Sequence, residues 1–116
     1  MEHNQTEYLT WAAFEKVEMR VGTILKAEVF KEVRNPAYKL IIDFGPLGIK
    51  KSSAQITKVY EPAEVVGRQV IAVINFPDKQ IANMMSECLV LGAMGEEKTI
   101  TLLTTERPVP NGLRVG

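Results

Sequence analysis

The chain has one cysteine, Cys88, and one histidine, His3. A single thiol cannot form an internal disulfide, which fits a reducing cytoplasm. A Ser–His or Cys–His nucleophile needs an imidazole held by structure, and a histidine three residues from the start does not supply one. Zinc sites need clusters of Cys and His, so no metal or cofactor is expected. There is no Walker-type phosphate loop and no Gly-rich dinucleotide fingerprint. The most apolar stretches, Val70 to Ile74 and Cys88 to Met94, fall far short of the roughly 18 residues of a membrane span, so no membrane insertion is expected. The first ten residues are polar and acidic, unlike a secretory signal or a transit peptide, and the expected location is the cytoplasm. Acids are plentiful, but the only adjacent pair, Glu96-Glu97, follows Gly95 and reads as a hairpin turn. A carboxylate enzyme is therefore the weakest alternative, and the expectation is a protein that is not an enzyme.

Net charge is also missing: 14 Lys and Arg face 14 Asp and Glu. That balance excludes a protein that coats nucleic acid by bulk charge. The charges are nevertheless segregated. Residues 1–15 hold Glu2, Glu7 and Glu15 and no base. Residues 16–60 hold nine bases against four acids, and residues 61–116 hold five against seven. A basic middle between acidic ends can offer an anion one face while the molecule stays near neutral. With 116 residues, 46% of them hydrophobic, the chain is long enough to bury a core and reads as a single domain over 1–116.

The pattern is mostly that of strands. Thr10 is a plausible N-cap for a helix of at most two turns over Trp11 to Lys16, with Tyr8, Trp11 and Phe14 on its apolar side. Val17, Met19 and Val21 alternate with Glu18 and Arg20 in a first strand, which a bulge or bend at Gly22 interrupts. Leu40, Ile42 and Phe44 form the inward face of a second strand, after a turn at Asn35-Pro36. Gly45-Pro46-Leu47-Gly48 turns the chain into a third strand from Ile49 to Ser53. Ala54 to Tyr60 is expected to make one or two helical turns, ended by Pro62. Val70 to Ile74 is apolar on both faces and reads as a central strand. Asp78 to Glu87 reads as a long loop, Cys88 to Met94 and Thr99 to Thr104 as further strands, and the rest as an extended tail. This order predicts an all-β fold: a five-stranded Greek-key OB-fold barrel, with a short N-terminal helix and a helix between strands 3 and 4. A β-sandwich is the alternative.

Several segments resemble the tRNA-binding OB domain family: Val17 to Ile24 with its Arg20-Val21-Gly22, Asn75-Phe76-Pro77-Asp78-Lys79, and Ser86-Glu87 followed by Cys88 to Ala93. The chain is also similar to the CsaA-type secretion chaperones within that family. Lys39 to Gly45, Gly48 to Thr57, Gln69 to Pro77 and Pro108 to Gly112 carry this likeness. The resemblance covers about residues 8–116. It implies a homodimer whose interface is built by the N-terminal helix (1–16) and a C-terminal extension (98–116), through Tyr8, Trp11, Phe14, Pro108, Pro110 and Asn111. It further implies an export-related chaperone that binds unfolded precursor proteins and the secretion motor ATPase, with tRNA-binding capability. The alternative it leaves open is a structured-RNA (tRNA) binding protein acting in trans with aminoacyl-tRNA synthetases.

OB barrels bind oligomers across their second and third strands. Arg34, Lys39, Lys50 and Lys51 lie in or beside those strands and suit phosphate contacts. Lys50 and Lys51 are adjacent in a strand, so they face opposite ways and only one can line a groove. Ser53, Asn75 and Ser86 add neutral donors and acceptors, and Lys79 closes the Asn75 segment. Met84 and Met85 are adaptable apolar contacts for varied peptides. Aromatics make up only 7% of the chain. Phe44 and Phe76 are in phase with the core, which leaves Tyr38 and Tyr60 as the expected exposed candidates. So few stacking platforms favour a folded RNA or a peptide over a general single strand.

Overall fold

A computed structural model describes residues 7–116; His3 lies outside them. The chain forms a nearly closed all-β barrel with few short helices. Helix α1 (Trp11–Glu15) begins at Thr10, whose hydroxyl accepts from the Ala13 N–H at 3.0 Å. Five residues make too few hydrogen bonds to hold a helix alone. Two side chains pin its far end. Arg114 donates to the Glu15 carbonyl at 2.8 Å, and the Asn75 amide donates to the Lys16 carbonyl and accepts from the Glu18 N–H. Arg20 also bridges Glu18 to the Gly112 carbonyl.

Strand β1 (Met19–Val29) is the spine. Its first half pairs with β4 (Gln69–Val73) and its second half with β2 (Tyr38–Asp43), which in turn pairs with β3 (Ile49–Ala54). The register slips between Ile24 and Lys26, so the bulge is at Leu25 and not at the expected Gly22. Gly22 serves close approach instead. A Cβ there would lie 2.6 Å from the Ile42 methyl and 2.7 Å from the Phe44 ring. The bulge inverts the alternation of β1, bringing Ala27 onto the core and turning Lys26 and Glu28 outward.

A short strand β7 (Leu89–Val90) pairs with β4, giving the order β3-β2-β1-β4-β7. Two bonds draw β3 to this far edge: Ser52 Oγ donates to the Cys88 carbonyl, and the Glu87 N–H to the Lys51 carbonyl, each at 2.8 Å. The core inside contains Ile24, Leu40, Ile42, Phe44, Val65, Val70 and Ala72.

The helix between strands 3 and 4 is present, but as α2 (Pro62–Val65). Residues 54–60 form no helix, and Pro62 opens α2 where the sequence suggested it would end one. Proline at the first helical position loses no bond, and Glu61 and Glu64 cap each other there. Tyr60 is instead consumed by the core. Tyr38 Oη donates to its carbonyl at 2.6 Å, and Tyr60 Oη accepts from the Leu102 N–H. Both rings are buried, contrary to expectation, because each hydroxyl finds a partner inside. Phe76 errs in the other direction. Strand β4 ends at Val73, the phase is lost, and the ring is 57% exposed.

The expected long loop is a hairpin, β5 (Lys79–Ile81) and β6 (Met84–Ser86), turning at Ala82-Asn83. The fifth expected strand is split into β7 and β8 (Gly92–Met94). Strand β8 pairs with β9 (Ile100–Leu102) across a tight turn at Glu96–Lys98. The tail returns along β1 as β10 (Arg114–Val115). Gln69 ties it down with its whole amide, donating to Val109 and Asn111 and accepting from Val109 and Thr105.

Candidate functional site

The outward face of β1, β2 and β3 is set by register. One row reads Lys26, Ile41, Lys51 and the next Glu28, Lys39, Ser53. The β5–β6 hairpin folds over this face and is fastened by a small second core. Met84, Phe30 and Ala37 are buried there, with Val33 and Ile81 packed against them.

Three hollows surround the hairpin. One of about 200 Å³ lies among Lys26, Glu28, Lys39, Lys51 and Asn83. A second of about 520 Å³ adjoins Arg34, Asn35, Ser53 and Gln55. A third of about 550 Å³ has an apolar wall of Phe76, Pro77, Ile81 and Leu89 and a polar rim of Ser53, Ser86 and Lys79. Ser53 borders both of the larger hollows.

The structure thus unites Lys39 and Lys51 in one hollow, and Ser53, Lys79 and Ser86 in another. Arg34 stands at the second. Lys50 shares the parity of buried Ile42 and Ser52 and leaves the outward face. Asn75 is exposed, but both ends of its amide hold the α1 segment. The two methionines part company: Met84 is 7% exposed and fastens the hairpin, whereas Met85 is 38% exposed on its outer side.

Lys26, Glu28, Asn83 and Leu89 join the site without having been singled out in the sequence, and Phe76 joins it although it was expected in the core. Glu28 stands between two ammonium groups, 3.8 Å from Lys26 and 3.7 Å from Lys39. Lys39 also sits 5.1 Å over the Phe30 ring. Among the described residues, the Lys51 ammonium makes no ion pair, while its main-chain N–H donates to Glu87 Oε1 at 2.8 Å. Cys88 borders the third hollow, but burial pushes its thiol up to about 11, outweighing the Ser52 hydrogen bond and the charge of Lys50, which both lower it. It is a protonated wall atom and not a nucleophile at neutral pH. No group of three or more His, Cys, Asp or Glu among the described residues is placed to hold a metal ion.

On the α1 segment, Trp11 is 83% exposed, with Tyr8 and Leu9 exposed beside it. Phe14 is half-buried in a hollow of about 460 Å³ shared with Trp11, Val17 and Val115. Pro108 and Pro110 are exposed. Asn111 is occupied internally, accepting from Thr23 and Gln69.

Residues 19–114 match the family described as a putative tRNA binding domain. The chain belongs to this family. A crystal structure of chaperone CsaA from Bacillus anthracis is 45% identical, with a TM-score of 0.91 over 95% of this chain and 100% of that one. The CsaA chaperone protein from Picrophilus torridus is 46% identical, with a TM-score of 0.87 over 94% and 100%. The methionine–tRNA ligase of Methanopyrus kandleri is 32% identical over 114 residues, which is 98% of this chain and 17% of the ligase. The chain therefore spans only about a sixth of the length of the curated relatives it matches (14–17%). This member of the tRNA-binding domain family shares its OB-type barrel with the CsaA structures over nearly its whole length.

Proposed function

We propose that residues 1–116 act as one non-enzymatic binding module, a cytoplasmic chaperone of the CsaA kind. It would hold unfolded segments of exported precursor proteins for the secretion motor ATPase. The observation that carries this reading is the third hollow. Its apolar wall of Phe76, Ile81 and Leu89 suits a client's apolar side chain, and Ser53, Ser86 and Lys79 at the rim suit the client's backbone carbonyls. Phe76→Ser removes much of the wall at an exposed position. It is expected to lower the protein's capacity to keep a denatured client soluble several-fold, with the melting temperature unchanged. Full retention of that capacity would remove the hollow from the mechanism.

A specific observation favours a second activity. Lys26, Lys39 and Lys51 converge on one face, as phosphate contact requires, and support binding of tRNA, in trans with aminoacyl-tRNA synthetases. The module is further proposed to work as a homodimer, with a second copy covering Tyr8, Trp11, Phe14 and the Pro108–Pro110 tail. An aromatic as exposed as Trp11 on a five-residue helix supports that arrangement. Trp11→Asp is expected to yield a folded monomer in sedimentation. A variant that still sediments as a dimer would move the interface elsewhere.

A further inference from the structure

The smallest hollow has a more specific composition than a basic face in general. Lys26 and Lys51 flank Ile41 in one row, on strands β1 and β3, and Lys39 stands in the next row on β2. Adjacent strands lie about 4.8 Å apart, so three flexible ammonium groups reach a common point above Ile41. Each ammonium has three donors and no acceptor. The three cations and the Glu28 carboxylate that line the hollow sum to about +2 in a molecule whose total is zero, and the Glu87 carboxylate on the Lys51 main-chain N–H, outside that lining, lowers the local charge toward about +1.

Glu28 is the informative member. Its oxygens are 3.8 and 3.7 Å from the two ammonium nitrogens it faces, separations that are ion pairs without hydrogen bonds. Glu28 and Lys26 are about half exposed or more, so these pairs contribute little to stability and exchange readily with another anion. The Lys51 ammonium makes no ion pair among the described residues, although the Glu87 carboxylate accepts from the Lys51 main-chain N–H at 2.8 Å.

We infer that the hollow among Lys26, Lys39 and Lys51 is a phosphate site in which Glu28 serves as an internal counter-anion, and that it seats one phosphate of a bound RNA. The inference rests on the tRNA-binding reading of this face and adds a regulator to it. A phosphate oxygen takes the place of the Glu28 carboxylate, which then opposes binding by like-charge repulsion. The sign of the Glu28 effect follows. Removing an acid from the site strengthens binding, and removing any of the three lysines weakens it.

The test has two probes. Inorganic phosphate is titrated into the protein while the lysine side-chain resonances are followed by NMR. Binding of tRNA is measured in parallel by fluorescence anisotropy across a salt series. Glu28→Gln is expected to tighten both about three- to tenfold. Lys26→Gln is expected to weaken both by a similar factor and to lower the magnitude of the tRNA salt slope by about one. Glu97→Gln and Lys98→Gln, which make the same charge changes on the distant β8–β9 turn, are expected to alter neither.

Phosphate that shifts the three lysines no more than Lys98, or a Glu28→Gln effect no larger than that of Glu97→Gln, overturns the inference even if tRNA binds. Phosphate titrating the three lysines while tRNA fails to bind at low salt instead overturns the RNA reading and leaves an anion site. Removal of the tRNA 5′-phosphate separates the two sources: lost affinity assigns a terminal phosphate, and unchanged affinity a backbone one. An acidic peptide that displaces tRNA and occupies the three lysines more tightly than phosphate does would reassign the site to carboxylates.

Discussion

Met84→Ala tests how the site is held together. The β5–β6 hairpin has only three residue pairs, and so short a two-stranded ribbon is not stable in water by itself. What fastens it is the second core, where Met84, Phe30 and Ala37 are the buried members. Truncating a buried methionine to alanine costs about 2–5 kcal/mol. This cluster lies at the surface and its neighbours can partly close the gap, so the low end, about 2 kcal/mol, applies. At about 1.4 kcal/mol per factor of ten, that raises the population of the opened hairpin roughly thirtyfold. The barrel core is a separate cluster and is not touched. Native-state hydrogen exchange reads the two apart. Amides of Ile81 and Met84 should exchange roughly thirtyfold faster, while Val70 and Ala72 in β4 keep their protection. Met85→Ala, on the outer side, should change neither by more than about 0.5 kcal/mol. All three hollows border the hairpin, so client and tRNA binding should both weaken in Met84→Ala. Equal protection in the Met84→Ala and wild-type hairpins would refute the fastening role. So would a parallel loss in β4, which would make the hairpin and barrel one unit.

Two further outcomes follow from the barrel. Gly22→Ala puts a methyl 2.6–2.8 Å from Ile42 and Phe44, both fully buried, and is expected to cost about 1–3 kcal/mol by urea unfolding. Unchanged stability would mean that β1 does not cross the core so closely. Cys88 is protonated in the folded protein up to about pH 11, whereas the unfolded thiol ionises near 9. Between those values the unfolded chain binds fewer protons, so stability falls as pH rises, by about 3 kcal/mol across the window. It is fully present below pH 9. Tyr38 acts in the same direction, its hydroxyl raised first by burial and then by Glu61 and Glu64. Urea midpoints from pH 8 to 11 check this: Cys88→Ala should flatten part of the decline, and an unaltered slope would count against the buried thiol.

The strands were legible where alternation is regular. Leu40, Ile42 and Phe44 read as core, and Lys50 and Lys51 as facing opposite ways, because β2 and β3 carry no bulge; register with Lys39 was needed to show that Lys51 is the outward one. Lys26 and Glu28 were not legible. Plain alternation from Ile24 would point them inward, and only the bulge at Leu25 turns them out. A flexible residue such as Gly22 marks a special backbone site without saying whether it bends the chain or admits a neighbour. Tyr38 and Tyr60 were misread because their hydroxyls are satisfied by main-chain partners brought from 22 and 42 residues away. The hairpin escaped notice because its turn, Ala82-Asn83, lacks the usual glycine, and Ala82 takes a φ of 50° without one. Met84 then looked like a loop contact when it is a fastener.

Ligands are proposed to bind around the β5–β6 hairpin, the client in the hollow of Phe76, Ile81 and Leu89 and tRNA on the outward face of β1–β3. Backbone amide shifts on titration with a denatured client segment, and separately with tRNA, test this placement most directly. Perturbations are expected at Ser53, Phe76, Ile81 and Leu89 for the client and at Lys26, Lys39 and Lys51 for tRNA, with Thr104 and Pro108's neighbour Val109 unmoved. Shifts centred on Gln69, Thr104 and Val109 for both ligands, with the β2–β3 face silent, would contradict it.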